Sequence, residues 1–161
     1  MKAIPLTQGK VALVDDADFE RLNNYQWYAQ KQVRQSRTTW YAVRHSKGGT
    51  RRLLRMHREI LSIFDPKVEV DHVDGNGLDN RRRNIRAATS QQNNHNRRKR
   101  TKCSSIFKGV CWLSARGKWR AHIEINGHTQ HIGYFDDEQA AAVAYDEAAR
   151  HLFGEFAFTN Q

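Results

Sequence analysis

The feature that most limits how this chain can fold is a strongly basic segment, Arg-Arg-Lys-Arg-Thr-Lys, at residues 97–102. Its charges repel one another, and it offers no apolar face that a core could bury. Units of about 50 residues and more can hold a core of their own, so 161 residues suffice for two small ones. We predict a first unit over residues 1–96, a basic linker over 97–103 and a second unit over 104–161.

Charge and composition narrow the class of protein. The formal net charge is +10 and the pI is about 10, which favours a polyanionic partner such as nucleic acid. No stretch approaches the roughly 20 apolar residues of a membrane span, and the first six residues lack the apolar run of a signal peptide. Cys103 and Cys111 form neither a disulfide framework nor a zinc-finger pattern. We expect a soluble, cytoplasmic protein with no membrane contact and no evident obligate protein partner.

The first half of the first unit is predicted to be rich in short strands. Residues 4–45 mix β-branched and aromatic residues with turn residues. Large aromatic residues in strands usually supply a core, which we expect of Trp27, Tyr28, Trp40 and Tyr41. Residues 55–64 then follow a helical pattern that ends before Asp65-Pro66.

The second half of the first unit has the order strand, strand, helix. Residues 68–73 alternate as a strand does, and 74–77, Asp-Gly-Asn-Gly, supply a tight turn. Residues 78–88 return toward extended structure. Thr89 or Ser90 then offers an N-cap for a short helix through Asn96.

The second unit is predicted to be a three-stranded antiparallel sheet packed on one helix. Three strand patterns at 109–112, 118–125 and 129–135 are separated by Arg116-Gly117 and Asn126-Gly127. An alanine-rich helix follows over 137–152, and its small side chains allow close packing on a sheet. The whole chain is therefore predicted to be an α+β protein.

Residues 50–96 resemble the His-Asn-His (HNH) endonuclease family, and specifically its phage and homing-endonuclease branch. The resemblance implies a ββα-metal nuclease core that acts on double-stranded DNA. Several spacings agree together, which makes it specific. The residues that carry it are Met56-His57-Arg58-Glu59, Val70-Asp71-His72-Val73-Asp74-Gly75-Asn76, Asp79-Asn80-Arg81 and Asn84-Ile85-Arg86.

Phosphodiester hydrolysis explains why these residue types are needed. A base must activate water, and His72 suits this because its ordinary pKa leaves it largely neutral at physiological pH. Asp71 and Asn93 offer hard oxygen donors for one divalent cation, Mg²⁺ or Mn²⁺. The resemblance implies that Asn84 holds the His72 loop, and it favours Asn93 over His95 as the second metal ligand.

His57 stays outside the predicted catalytic set, because a histidine on an amphipathic helix is more often structural. The basic residues beside the motif are expected to contact the DNA backbone, which fixes position without reading sequence. The members of this group are Arg81, Arg82, Arg86, Arg97 and Arg98.

Residues 104–159 resemble the Apetala-two/ethylene-response-factor DNA-binding domain. The likeness is carried by Phe107-Lys108-Gly109-Val110, Gly117-Lys118-Trp119-Arg120-Ala121, Ile132-Gly133-Tyr134-Phe135 and the helix sequence from Ala140 to Ala149. It implies a sheet that lies in the major groove. Strand alternation points Lys118, Arg120, His122 and Glu124 away from the helix. The DNA contacts predicted for this unit are Lys108, Arg116, Lys118, Arg120, His122 and His131.

The sequence thus predicts a metal-dependent DNA endonuclease of the homing type, positioned by its second unit. Two alternatives remain open at this stage. One is a transcription regulator whose nuclease motif is an inactive relic, and the other is a protein that binds or cuts RNA.

Overall fold

The computed structural model describes residues 1–34, 37–96 and 104–161. The predicted linker residues 97–103, including Arg97, Arg98 and Cys103, lie outside them. The chain divides into two compact units, Met1–Ser90 and Gln91–Gln161. The division therefore falls after Ser90, ahead of the basic segment where the sequence analysis had put it.

The first unit opens with a hairpin, a helix and a small sheet. Strands β1 (Lys2–Pro5) and β2 (Val11–Val14) pair antiparallel, and helix α1 (Asp16–Asn23) follows. Strands β3 (Tyr28–Arg34), β4 (Arg37–His45) and β5 (Leu53–Arg55) form a three-stranded antiparallel sheet in that order. The short helix α2 (Met56–Ile60) ends four residues before the predicted end at Phe64.

Two further strands complete the first unit. Strands β6 (Glu69–His72) and β7 (Ile85–Ala88) form an antiparallel pair in which Asp71 lies opposite Arg86. Helix α3 (Ser90–His95) comes directly after β7, so the predicted order strand, strand, helix is present along the chain. The extended structure predicted for residues 78–88 is confined to β7. Residues 78–81 form a loop, and residues 82–84 form a turn of 3₁₀-helix.

The core of the first unit contains residues from Ile4 to Ile85, nearly the whole length of the unit. Trp27 is buried, as expected, but Tyr28, Trp40 and Tyr41 are only half-buried. Helix α1 is a correction to the strand-rich prediction for residues 4–45. Its two acidic residues in the first turn and Arg21 in the last favour a helix, and Leu22 is fully buried. The core consists of Ile4, Ala12, Val14, Leu22, Trp27, Ala42, Met56, Ile60 and Ile85.

The second unit has the sheet and helix that the sequence predicted. Strands β8 (Val110–Leu113), β9 (Lys118–Ile125) and β10 (His128–Phe135) form an antiparallel sheet with β9 in the centre. Asn126 and Gly127 have φ values of 52° and 79°, as a two-residue hairpin turn requires. The side chain of Asp137 caps helix α4 (Glu138–Phe153) by accepting a hydrogen bond from Ala140 N at 2.7 Å.

Small residues bring α4 onto this sheet. Ala141, Ala142 and Ala149 are buried against the sheet, together with Tyr145. A β-carbon on Gly109 would lie 2.0 Å from the Tyr145 ring, and Gly109 has a φ of +73°. Only glycine fits there without displacement. The mixed α+β class is confirmed, and no helix in the described part of the chain is long and apolar enough to span a membrane.

Candidate active site

The β6–β7 hairpin brings Asp71 and His72 to the start of a tight loop. His72 is the last residue of β6, and Asp71 and His72 are 4% and 6% exposed. The loop turns at Gly75, whose φ is +71°. Neighbouring side chains on a regular strand point to opposite faces of the sheet. The strand ends at His72, where Asp71 and His72 would have to depart from this rule to share one site.

Asn84 braces this loop through its side chain and its backbone. Its Nδ2 donates to Asp74 Oδ1 and to the Asp79 carbonyl, both at 2.9 Å, and its Oδ1 accepts from Asp74 N at 3.1 Å. Its carbonyl accepts from Val73 N at 2.8 Å. Asn84 itself is 7% exposed, and its bond to the Asp79 carbonyl is buried. Contacts of this kind are what an orienting role for Asn84 requires.

The His72 ring lies in a buried cluster of rings. The centroid of the His57 ring is 5.0 Å from that of His72, at an interplanar angle of 85°, and Tyr41 lies 6.0 Å from His72. Burial lowers the pKa of His72, although a hydrogen bond to Asn80 and the nearby carboxylates Asp74, Asp71 and Asp79 act in the opposite direction. His72 is therefore held as a neutral imidazole near neutral pH, as a proton acceptor must be.

His57 is a residue that the sequence analysis left aside and the structure brings to the site. It is 4% exposed, and its Nδ1 has no hydrogen-bond partner among the residues described. Burial, followed by His72, Arg55 and Arg58, holds its pKa well below the ordinary value. The one signal in the sequence was its membership of the Met56-His57-Arg58-Glu59 motif, since helical position alone favours a structural role.

Asp71 is bound to the arginine opposite it. Arg86 Nη2 and Nε donate to Asp71 Oδ2 at 2.7 and 3.0 Å, and the two side chains are 15% and 4% exposed. A carboxylate has about four lone-pair positions, so one carboxylate can pair with an arginine and also coordinate a cation. Mg²⁺ prefers hard oxygen donors, so the Asp71 carboxylate is chemically suited to coordinate it.

The Arg86–Asp71 ion pair leads to a testable prediction. Arg86→Gln should lower the free energy of unfolding by about 3 kcal/mol, because it removes the guanidinium charge that pairs with the buried Asp71 carboxylate. Excess Mn²⁺ should then raise the melting temperature of the variant more than that of the wild type, since the cation replaces the lost charge at Asp71. Thermal melts with and without Mn²⁺ measure both effects.

Arg82→Gln is the matched control for that experiment. Arg82 pairs with Asp18, but its side chain is 54% exposed, and Asp18 keeps a second ion pair, with Arg21, when Arg82 is replaced. We expect a smaller loss of stability from this change and no added response to Mn²⁺. An equal response to Mn²⁺ in the wild type and both variants would show that Asp71 does not bind the cation.

Asn93 and His95 lie on α3, in the part of that helix that belongs to the second unit. The His95 ring stacks on Phe153 with a centroid distance of 3.7 Å, and its carbonyl accepts from Lys108 Nζ at 2.5 Å. These contacts engage the His95 ring and backbone in the packing of the second unit. Within residues 1–34, 37–96 and 104–161, no three His, Cys, Asp or Glu side chains are grouped to hold a metal ion. Asparagine, the residue type of Asn93, is not among these four.

Comparison with known proteins identifies the family. A family model described as HNH endonuclease matches residues 64–95, which hold Asp71, His72, Asn84 and Asn93. A mimivirus protein named "Uncharacterized HNH endonuclease L560", from Acanthamoeba polyphaga mimivirus, is 33% identical over 159 residues, covering 96% of this chain and 76% of the relative. The chain belongs to the HNH endonuclease family. It is therefore a nuclease.

A second relative of this HNH endonuclease comes from a phage. Protein 3.8 of Escherichia phage T7 is 31% identical over 88 residues, covering 55% of this chain and 72% of the relative. No solved structure matches the chain. The match of the family model ends at residue 95, so the likeness of the second unit to the Apetala-two/ethylene-response-factor domain rests on the residues quoted above.

The arginines beside the motif of this HNH endonuclease are engaged in ion pairs. Arg81 Nε donates to Asp79 Oδ1 at 2.7 Å, and Arg82 Nε donates to Asp18 Oδ2 at 2.8 Å. Arg81 and Arg86 are also largely covered, with side chains 19% and 15% exposed. Arg82 is the most accessible of the three. These ion pairs have no signal in the sequence, from which we expected the arginines to contact the DNA backbone.

The predicted DNA contacts of the second unit comprise two lysines that are already engaged, Lys108 and Lys118, and a set of residues on or beside the sheet. Lys108 is half-buried, and burial lowers its pKa to about 8. A lysine that binds phosphate at a protein surface is usually exposed and fully charged. Lys118 forms an exposed ion pair with Asp136 at 2.7 Å. On the sheet, Arg120 lies opposite Cys111 and Tyr134, and His122 opposite His131. The Arg116 guanidinium lies 4.7 Å from the Tyr134 ring, and His131 lies 4.3 Å from it.

Proposed function

We propose that this HNH endonuclease hydrolyses phosphodiester bonds of double-stranded DNA with His72 as the general base and one divalent cation. The observation that carries the proposal is the setting of His72. It is a buried, neutral imidazole at the end of β6, next to Asp71 and within a loop that Asn84 braces. A neutral imidazole can take a proton from water, and the usual gain from such a base is about 10²–10⁴-fold.

The residues of the chain divide the chemistry between them. His72 accepts the proton of the attacking water, and Asn84 keeps the His72 loop in place. Asp71 and Asn93 are proposed to hold Mg²⁺ or Mn²⁺. HNH nucleases generally use a divalent metal ion, which would stabilise negative charge on the phosphate and the leaving oxygen. The His57 and Tyr41 rings pack beside the His72 ring.

DNA as the substrate is supported by the charge of the chain and by its family. A net charge of +10 favours phosphate contacts, which fix position and weaken as salt rises. The second unit is proposed to position the enzyme with the outer face of its sheet, which carries Arg120 and His131, and with Arg116 in the turn between β8 and β9. A homing-type role and cleavage in a host cytoplasm fit relatives encoded by a mimivirus and a phage.

A cleavage assay on supercoiled plasmid tests this proposal. The full chain should convert plasmid to nicked or linear DNA with Mg²⁺ or Mn²⁺ and stop when a chelator is added. It should leave an RNA duplex of the same sequence intact. Cleavage of RNA alone would replace DNA by RNA as the substrate. DNA binding without cleavage of either would favour the transcription regulator with an inactive nuclease motif.

A further inference from the structure

Asn80 contacts the His72 ring and has so far been given no role. We propose that Asn80 is a positioning residue that fixes His72 in the neutral tautomer with its proton on Nε2. The catalytic consequence of this inference rests on the proposed function, but the tautomer does not. Asn80 is 1% exposed, and its Oδ1 lies 3.3 Å from His72 Nε2.

The orientation of the Asn80 amide follows from its second hydrogen bond. Asn80 Nδ2 donates to the Leu78 carbonyl at 3.2 Å. A carbonyl oxygen only accepts hydrogen bonds, so the amide nitrogen must be the atom that faces it. The oxygen of the amide therefore faces His72 Nε2. Since that oxygen also only accepts, a hydrogen bond between them requires the proton on Nε2.

The backbone around Asn80 is fixed as firmly as its side chain. Asn80 N donates to the Leu13 carbonyl at 2.8 Å, and Leu13 N donates to the Leu78 carbonyl at 2.9 Å. Leu13 belongs to β2, whose neighbours Ala12 and Val14 are fully buried in the core. The N-terminal hairpin thus fixes the backbone of Asn80. The side-chain amide of Asn80 can therefore set the orientation of the His72 ring.

Packing keeps the His72 ring from turning over. The His57 ring meets it edge to face, and Tyr41 covers it from β4. The loop itself presses on β4, because a β-carbon on Gly77 would lie 2.4 Å from the Trp40 carbonyl and 2.7 Å from the Tyr41 ring. A ring turned by half a revolution would present a carbon to Asn80 and lose the hydrogen bond, which costs about 1 kcal/mol or more when buried.

The tautomer decides which nitrogen acts as the base. A neutral imidazole with its proton on Nε2 carries its lone pair on Nδ1. In hydrolysis Nδ1 takes one proton of the water, and the electrons of that O–H bond form the new P–O bond. The leaving oxygen departs with the electrons of the broken P–O bond and is protonated by solvent. Asn80 Oδ1 then faces the N–H of a positively charged ring, which strengthens its hydrogen bond.

Nitrogen NMR of the ¹⁵N-labelled full chain measures the tautomer without any cleavage. At about pH 8, where histidine is neutral, long-range ¹H–¹⁵N spectra separate protonated from unprotonated ring nitrogens. The His72 signals are those that vanish in His72→Gln. We expect the proton on Nε2. A proton on Nδ1 of the wild-type protein overturns the inference, whatever the variants do.

Two substitutions of Asn80 test whether it sets the tautomer. Asn80→Leu has a similar volume but no acceptor, and should lower the share of the Nε2–H form and reduce kcat about 10–100-fold, with KM within about twofold. Asn80→Asp keeps an acceptor oxygen and should keep the tautomer and more of the activity. Asn23→Leu, at the exposed end of α1, is the control.

The outcomes separate this inference from the proposed function. An unchanged tautomer in folded Asn80→Leu would show that Asn80 does not set it. If instead the tautomer behaves as expected but His72→Ala still cleaves DNA, the tautomer assignment stands and the assignment of His72 as general base fails.

Discussion

Replacing His72 by alanine is expected to lower the rate of DNA cleavage by about 10²–10⁴-fold while DNA affinity stays within about twofold. The substitution removes the proton acceptor and leaves the basic residues that would contact phosphate untouched. Interactions needed only in the transition state change kcat and not binding. Single-turnover cleavage and fluorescence anisotropy with the same labelled duplex measure the two quantities side by side.

The variant needs a check of folding, because the removed ring is buried. His72 is 6% exposed and packs on His57 and Tyr41, so alanine leaves a cavity. His72→Gln fills more of that space and should lose cleavage to a similar extent. His151→Ala, an exposed histidine on α4, should cleave as the wild type does. A folded His72→Ala variant that cleaves at the wild-type rate would refute His72 as the base.

The elements near the motif could be predicted because their signals are local. The alternation of residues 68–73, the Asp-Gly-Asn-Gly turn and the N-cap position before α3 each act within a few residues. The Asn126-Gly127 hairpin is likewise fixed by two residues that tolerate positive φ. Helix α1 was missed because eight residues between strands give only two turns of periodicity, too few to outweigh the surrounding pattern.

The partners of the site residues could not be predicted, because they come from distant parts of the chain. The bond between Arg82 and Asp18 joins residues 64 positions apart. The approach of His57 to His72 depends on how α2 packs beside β4 and the β6 loop, which no periodicity encodes. The same is true of Asn80, whose sequence context suggests only a turn.

The contacts of helix α3 bear on how the two units are divided, because Gln91 to His95 belong to the second unit. Helix α3 carries Asn93, and two of its residues, Gln91 and His95, contact residues beyond 104. Gln91 donates to Asn126 Oδ1, His95 stacks on Phe153, and Lys108 donates to the His95 carbonyl. Deleting residues 104–161 would remove all three contacts. The second unit therefore supports a helix that the sequence analysis assigned to the nuclease unit.

Asp71→Ala and Asn93→Ala are each expected to lower cleavage by about 10²–10³-fold, because each removes an oxygen ligand from a cation whose stabilisation of charge is worth several kcal/mol. Both variants should need more Mn²⁺ for half-maximal activity and recover part of their activity in excess Mn²⁺.

His95→Phe is the matched control. It keeps the stacked ring on Phe153 and removes both ring nitrogens. Cleavage and Mn²⁺ dependence like those of the wild type in His95→Phe, with losses in Asn93→Ala, would support Asn93 as the ligand. The reverse pattern would assign that place to His95, and wild-type Mn²⁺ dependence in all three variants would refute the proposed ligand pair.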